Sequence, residues 1–208
     1  MPKIKLRPAI GFGPIAALAA VSVAFAQPAA APSGPKFIRG AVTSVAADQL
    51  VVKARDGKIF AITLAKGWTV QVTKAITAAD IKPGSFIGTA EMPQANGTGR
   101  SLEVHVFPPG VKTGEGHYNW DLKQGSMMTN GTVGKVVAGA KGRELDVSYA
   151  AGERHITVPN NAPIVQIVPA TRDLLKPGVK VFVVALPTPN GLVSNGVAIG
   201  ENGKPPPM

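Results

Sequence analysis

An internal repeat constrains the fold most, because it predicts two copies of one structural unit. Each copy opens with a glycine-led alternating segment, at Gly40 in the first copy and at Gly131 in the second, 91 positions later. Each copy also contains a Lys-Pro-Gly turn, which begins at Lys82 and at Lys176, 94 positions apart. Only about three residues of slippage accumulate between these landmarks, so the two copies share one order of elements.

The pattern inside each copy is that of short antiparallel strands. In the segment 60–64, Phe, Ile and Leu point to one face while Ala and Thr point to the other. Asp56-Gly57 and Asn96-Gly97 separate such alternating runs, and both pairs favour tight hairpins. The sequence predicts an all-β chain that forms two tandem small OB-like antiparallel β-barrels, each with a short helical turn.

The repeat boundaries give a domain layout. We expect the first barrel at residues 37–107 and the second at residues 130–200, with an inter-domain loop at residues 108–129. A spacer rich in Pro and Ala fills residues 27–36. Residues 201–208, which include three consecutive prolines, are expected to form a disordered tail.

The first 26 residues have the layout of a Sec signal peptide. Lys3, Lys5 and Arg7 form a basic region, an apolar stretch follows, and small residues stand at positions 24 and 26 before the expected cleavage. The uninterrupted apolar run at residues 15–25 is shorter than the roughly 20 residues that a spanning helix needs. We therefore expect export to the periplasm, with cleavage lowering the formal net charge by three, from +10 to +7.

Composition excludes several functional classes. The chain has no cysteine, which rules out disulfides and thiolate chemistry and fits an exported bacterial protein better than an animal secreted one. The basic residues are scattered, which argues against nucleic-acid binding. The sequence contains no Gly-x-Ser-x-Gly, no His-Glu-x-x-His and no phosphate-binding loop. We expect neither an enzyme nor an integral membrane protein.

The order of Gly-x-Val-x-x-Val, Leu-x-Val, Asp-Gly, Lys-Pro-Gly and Asn-Gly motifs resembles the DUF5666 type of exported bacterial domain, which is OB-like. The whole chain also resembles a group of periplasmic proteins often labelled "metal ABC transporter permease". That label does not suit this sequence, because a permease needs several spanning helices. The resemblance covers roughly residues 37–200 and implies a fold, with no activity attached.

The inter-domain loop is the candidate functional segment, because 22 residues exceed an ordinary connection. It contains Tyr118 and Trp120 together with His117 and Asp121. The two aromatic residues either plug the groove between the barrels, with His117 and Asp121 making hydrogen bonds, or form a ligand or partner site.

A third interpretation is a metal site, formed by His105, His117, Met127 and Met128. Imidazole and thioether ligands together suit Cu(I). Their spacing matches no metal motif, however, and two adjacent methionines on a strand point to opposite faces. His105 and His155 alternate with apolar neighbours, so both are expected to be solvated on outward faces of their strands.

The sequence therefore favours a non-enzymatic periplasmic binding or adaptor protein, which uses a barrel face or the aromatic loop. Its partner is a periplasmic protein, an envelope polymer or a small ligand. No cofactor is expected, and the alternative function is a copper-type periplasmic metal-binding protein that uses the His and Met residues.

Overall fold

The computed structural model describes residues 34–140 and 142–208, which belong to one compact unit. The expected signal peptide at residues 1–26 lies outside the described residues, as does most of the spacer. The described part is all-β, as predicted. Its strands are, in chain order, β1 (Lys36–Val45), β2 (Gln49–Ala54), β3 (Ile59–Ala75), β4 (Phe86–Pro93), β5 (Gly99–Val106), β6 (Gly116–Asn119), β7 (Met127–Gly139), β8 (Gly142–Tyr149), β9 (Gly152–Pro159), β10 (Ile164–Ala170), β11 (Lys180–Thr188) and β12 (Gly191–Gly200).

Five of these strands form a closed barrel. β1 pairs with β2 and with β11, β3 pairs with β2 and with β12, and β11 pairs with β12, so the ring has no free edge. Every pairing is antiparallel except β3 with β12. We call this ring the barrel.

The other half of the sheet is built from β4, β5, β7, β8 and β9, and we call it the second lobe. β7 pairs with β4 and with β8, β9 pairs with β8, and β4 pairs with β5, all antiparallel. β5 lies parallel to β9 over two residue pairs, Gly99 with Ile156 and Arg100 with Thr157. The strand order repeats that of the barrel, with β7–β9 in place of β1–β3 and with β4 and β5 in place of β11 and β12.

Neither lobe is a contiguous piece of chain, so the predicted tandem arrangement, one barrel per repeat at residues 37–107 and 130–200, is not confirmed. The barrel takes three strands from the first repeat and two from the second, and the second lobe takes two from the first and three from the second. The two lobes are joined through the far half of β3, which pairs antiparallel with β10 from Val70 opposite Ala170 to Ala75 opposite Val165. β10 also runs parallel to β5. This junction carries the chain from one lobe into the other.

Each lobe has its own apolar core. The barrel core includes Leu50, Val52 and Ile62, all fully buried, and the core of the second lobe includes Ile87 and Leu145. Burying one such side chain contributes roughly 1.5–3 kcal/mol. A third, smaller cluster lies between the two lobes, and its buried members are Ile167, Phe182, Ala198 and Met208.

Helical structure in the described residues is limited to three 3₁₀ turns, at Ala78–Asp80, Arg172–Leu174 and Glu201–Gly203. In the first, the Thr77 hydroxyl and backbone N–H donate to the Asp80 carboxylate at 2.7 and 2.8 Å, which lowers the pKa of Asp80 below its ordinary value. The described part of the chain contains no helix that is long and apolar enough to cross a membrane.

Candidate functional site

A cavity of about 560 Å³ separates the outer face of the barrel from the outer face of the second lobe. Phe182 and Leu186 of β11 line its barrel side, while His105 of β5 and Asn130 of β7 line the opposite side. The segment at residues 108–126, which lies between β5 and β7 and includes β6, contributes further lining residues, and we call it the central loop. The volume falls within the range of about 300–1,000 Å³ that small-molecule sites occupy.

The central loop is folded against the barrel through its aromatic residues. The Trp120 ring lies 4.1 Å from that of Phe37 and 6.1 Å from that of Phe182, measured between centroids. Tyr118 meets Trp120 edge to face at 6.3 Å. Both residues line the cavity and form an aromatic wall in it.

Local hydrogen bonds fix the position of Trp120. β6 pairs with β7, so Tyr118 stands opposite Met128 on the cavity face. The chain then reverses, and the backbone N–H of Trp120 donates to the Ser126 carbonyl at 2.9 Å, while the Ser126 hydroxyl donates to the Lys123 carbonyl at 2.7 Å. This hydrogen-bonded turn places the Trp120 ring between the two lobes.

A buried carboxylate orients His105. Glu103 and His105 are two positions apart on β5 and therefore share its outer face. Glu103 is 0% exposed and His105 is 5% exposed. The Nδ1 atom of His105 lies 3.1 Å from Oε2 of Glu103, and the other carboxylate oxygen accepts the backbone N–H of Ala90 at 2.9 Å. The carboxylate is placed to accept a proton from Nδ1, and in the tautomer with its proton on Nδ1 the imidazole has Nε2 as a hydrogen-bond acceptor.

His105 was expected to be solvated, and that prediction is wrong. Alternation places the side chain on the outward face of β5, but the central loop and the barrel cover this face. His155, in contrast, is exposed as predicted, with its Nδ1 atom 2.6 Å from Asp146.

Gly88 allows His105 and Asn130 to approach each other. It lies on β4 between β5 and β7 and stands opposite both residues. A Cβ atom at this position would lie 2.1 Å from Nε2 of His105 and 2.3 Å from Oδ1 of Asn130. These two atoms are therefore separated by no more than the sum of those distances, 4.4 Å.

Asn130 presents its oxygen because its nitrogen is already engaged. Nδ2 donates to the carbonyl of Gly114 at 2.9 Å and to the hydroxyl of Tyr118 at 3.0 Å. The reversed amide would bring Oδ1 against the Gly114 carbonyl, so these contacts determine the orientation. Asn130 is only 6% exposed, and its Oδ1 has no hydrogen-bond partner among the described residues.

A second unpaired polar atom, Nε1 of Trp120, is buried in the same cavity wall. Tyr118 is half-buried, and this burial raises the pKa of its phenol above the ordinary value. Within the described residues, the lining of the cavity contains no Lys, Arg, Asp or Glu.

Arg39 fastens the central loop and the end of the described chain to the barrel. Its guanidinium lies 2.8 and 3.0 Å from the two carboxylate oxygens of Asp121, and its Nε donates to the Met208 carbonyl at 2.6 Å. The guanidinium also lies over the rings of Phe182 and Trp120, at 4.9 and 5.8 Å. Asp121 therefore has a structural contact that its place in the sequence does not reveal.

These contacts contradict the prediction that residues 201–208 form a disordered tail. Glu201–Gly203 forms a 3₁₀ turn, and Met208 is only 4% exposed within the cluster between the lobes. The apolar surface between the lobes and the Arg39 guanidinium together order the segment.

His117 lies on the opposite face of the β6–β7 pair from Tyr118. Its Nδ1 is 2.8 Å from the Thr129 hydroxyl and 3.9 Å from the carboxylate of Glu91, which is ion-paired with Arg154 at 2.7 Å. Burial lowers the pKa of His117 below its ordinary value, partly opposed by Glu91. His117 is thus separated from the cavity by the β6–β7 pair.

The four candidate metal ligands are not brought together as a set. His105 and Met128 line the cavity, while His117 and Met127 do not and occupy the other face of the β6–β7 pair. Among the described residues, no group of three or more His, Cys, Asp or Glu side chains is placed to hold a metal ion.

Of the predicted ligand-site residues, Tyr118 and Trp120 reach the cavity, while His117 and Asp121 lie elsewhere. Sequence reasoning missed Glu103 and Asn130. The alternation Glu103-Val104-His105 could have revealed the carboxylate–imidazole pair, because residues two apart on a strand share a face. No comparable local pattern marks Asn130, whose role depends on the pairing of β7 with β4.

A second groove, of about 750 Å³, runs along β1 beside Arg39, Arg55 and Asp56. It is more open, and two of its charged groups are ion-paired within the molecule, Arg39 with Asp121 and Asp56 with Lys58. The cavity between the lobes is the better candidate, because it is more enclosed and has an aromatic wall. Comparison with protein-family models, curated proteins and solved structures finds no match to this chain.

Proposed function

We propose that this chain is a non-enzymatic binding protein of the bacterial periplasm, and that it holds a small amphipathic ligand in the cavity between its lobes. The observation that carries the proposal is the cavity itself, of about 560 Å³, with a mainly apolar lining and an aromatic wall formed by Phe107, Tyr118 and Trp120. An apolar and aromatic lining with a few polar groups is typical of small-molecule sites.

The shape of the cavity mouth supports the same function. Val184 and Leu186 of β11 are 40% and 53% exposed and line the cavity, so part of the entrance is apolar. A partly apolar entrance and polar residues in the lining suit a molecule with a hydrophobic body and hydrogen-bonding groups. The expected export signal would place the protein where it can meet such molecules outside the cytoplasm.

The proposal is tested with the neutral apolar fluorophore N-phenyl-1-naphthylamine. We expect saturable binding with enhanced emission, and Thr69→Trp should weaken it by at least about tenfold, because Thr69 is an exposed residue that lines the cavity. Thr43→Trp is the matched control, since Thr43 is also an exposed strand threonine but does not line the cavity. Absence of saturable binding, or equal binding by both variants, would contradict the proposal.

A further inference from the structure

The barrel side of the cavity has a trough along β12, whose outward residues there are only Gly196 and Ala198. β12 lies between β3 and β11, and the outward neighbours on these strands are larger. Gln71 and Phe182 stand opposite Ala198, and Thr69 stands opposite Gly196. Since neighbouring strands lie about 4.8 Å apart, the flanking strands are roughly 10 Å apart, and the space between their side chains suits a flat molecule better than a rounded one.

The two sides of the trough differ in chemistry. Thr69 and Gln71 offer a hydroxyl and an amide on the β3 side, while Phe182 and Val184 present apolar surface on the β11 side. A ligand in the trough therefore meets side-chain hydrogen-bonding groups along the edge that faces β3. A hydroxyl or carbonyl group on that edge of the ligand can pair with either side chain.

Tyr118 forms a fixed ring surface on the other side of the cavity. Its hydroxyl donates to the Gly114 carbonyl at 3.2 Å and accepts from Nδ2 of Asn130 at 3.0 Å, and Trp120 meets its ring edge to face. Despite these contacts, Tyr118 remains 36% exposed and lines the cavity. A ring that is already held in place loses little freedom when a ligand packs against it.

Phe107 and Met128 extend the same wall. Aromatic rings attract one another beyond the effect of the area they bury, and a thioether also packs favourably on a ring. A saturated ring of the same size gains neither effect. The wall therefore favours an aromatic ligand, and the trough favours a flat one.

We infer that the ligand is a flat aromatic ring compound with a hydroxyl or carbonyl group on one edge, and that it lies between the small residues of β12 and the Tyr118 ring. This inference rests on the proposed function, since it assigns the chemical class of the ligand that the cavity holds.

Two probes that differ in flatness and aromaticity test the inference: 2-naphthol and its saturated analogue, decahydro-2-naphthol. They share one carbon skeleton and one hydroxyl group. Each is titrated by calorimetry at pH 7.5, and we expect 2-naphthol to bind at least about tenfold more tightly. A smaller difference, or tighter binding of the saturated probe, overturns the assignment of a flat aromatic ligand.

Tyr118→Leu tests the aromatic wall. It removes the ring but keeps an apolar side chain, so the ratio of the two affinities should fall at least about threefold. Tyr118→Phe keeps the ring and should hold the ratio within about twofold of the wild type, which separates the ring from its hydroxyl. Tyr149→Leu is the matched control, because Tyr149 lies outside the cavity lining, and its ratio should not change. An unchanged ratio in Tyr118→Leu overturns the role of the wall.

Gly196→Val tests the trough. A Cβ atom at this position would lie at a normal 3.4 Å from the carbonyl oxygen and the hydroxyl of Thr69, so the backbone has room for it. The added side chain should fill the trough and weaken 2-naphthol binding at least about tenfold. Gly134→Val is the control at an exposed strand glycine outside the cavity lining, and a thermal melt checks that every variant is folded. Equal binding by both glycine variants would overturn the placement of the ligand in the trough.

The two proposals fail in different ways. Binding of N-phenyl-1-naphthylamine and of both probes, with no preference for 2-naphthol, overturns the assignment of a flat aromatic ligand and leaves the cavity as a binding site. Failure of the fluorophore and of both probes to bind overturns the proposed function itself.

Discussion

Gly88 has no side chain, and this absence lets two neighbouring side chains approach each other closely. Its neighbours across the sheet, His105 and Asn130, close over it to distances that a Cβ atom would forbid. Its backbone conformation is not one that demands glycine, so the requirement comes only from space. The polar end of the cavity therefore depends on a residue that contributes no polar side-chain atom.

We expect Gly88→Ala to disrupt the inner end of the cavity. The added methyl group would displace the imidazole or the amide and lower stability by about 1–3 kcal/mol, the usual cost of overpacking. Denaturant unfolding measures the stability, and fluorophore binding reports on the cavity.

The control is Gly134→Ala on β7, where a Cβ atom would lie an ordinary 3.7 Å from the Asp146 carbonyl. We expect its effect on stability to be small and its fluorophore binding to be unchanged. Wild-type stability and binding in Gly88→Ala would show that His105 and Asn130 are not held as closely as described.

Sequence alternation correctly predicted which face of a strand a residue lies on. It did not predict which segments cover that face. It placed His105 opposite Val104 and Val106, and these two valines are indeed buried in the core of the second lobe. It could not show that His105 is buried as well, because the covering groups come from the central loop and from the barrel. Burial of an outward face is a property of tertiary packing, which a period of two residues does not encode.

Among the elements, the central loop and the segment at residues 201–208 have no sheet edge in common with the barrel. Both are held there by Arg39, which is 10% exposed and bonds to Asp121 and to the Met208 carbonyl. Arginine suits this position because its planar group presents several donors and stacks on the Phe182 ring at the same time.

Arg39→Met is expected to loosen both segments while keeping most of the apolar contact. The lost charged hydrogen bonds should lower the free energy of unfolding by about 1.5–3 kcal/mol. Hydrogen exchange should speed up at the backbone amides of residues 110–126 and at those of Lys204 and Met208.

Arg55→Met is the matched control, because Arg55 is an exposed arginine beside the same groove with no ion pair among the described residues. We expect it to leave stability and exchange close to wild type. Equal effects of the two substitutions would contradict the role assigned to Arg39.

The strands were predictable as elements, but their partners were not. Alternation and the Asp-Gly and Asn-Gly pairs located most strands, because these signals are local. Both repeats carry nearly the same strand pattern, so the local pattern does not show which of the pairs β4–β5 and β11–β12 completes which lobe. The pairing depends on long-range contacts such as that of β3 with β10, between residues 90 to 100 positions apart.

At the scale of the whole molecule, the two lobes are interlocked. Each half of the chain, divided at the central loop, supplies three strands to one lobe and two to the other. This exchange of strands between the two halves resembles that in a domain-swapped dimer, except that here both halves belong to one chain. Neither half contains all five strands of either lobe.

We expect residues 34–111 and 112–208, produced as two separate chains, to assemble with each other. The cut falls beside Val111, which is 38% exposed, and leaves every strand intact. Co-expression with a tag on one fragment should recover both in equal amounts, with fluorophore binding retained. Separately purified fragments that each remain folded monomers would contradict the exchange, because they would show that one repeat completes its own barrel.

The position of β12 also sets the order in which the molecule can be completed during synthesis. β1, β2 and β3 leave the ribosome first, yet the ring that they belong to stays open until residues 180–200 have been translated. A nascent chain therefore has no finished barrel for most of its time on the ribosome. If the chain is exported through a channel that admits only unfolded polypeptide, this late closure delays folding of the barrel, whereas the five strands of the second lobe are all translated by Pro159.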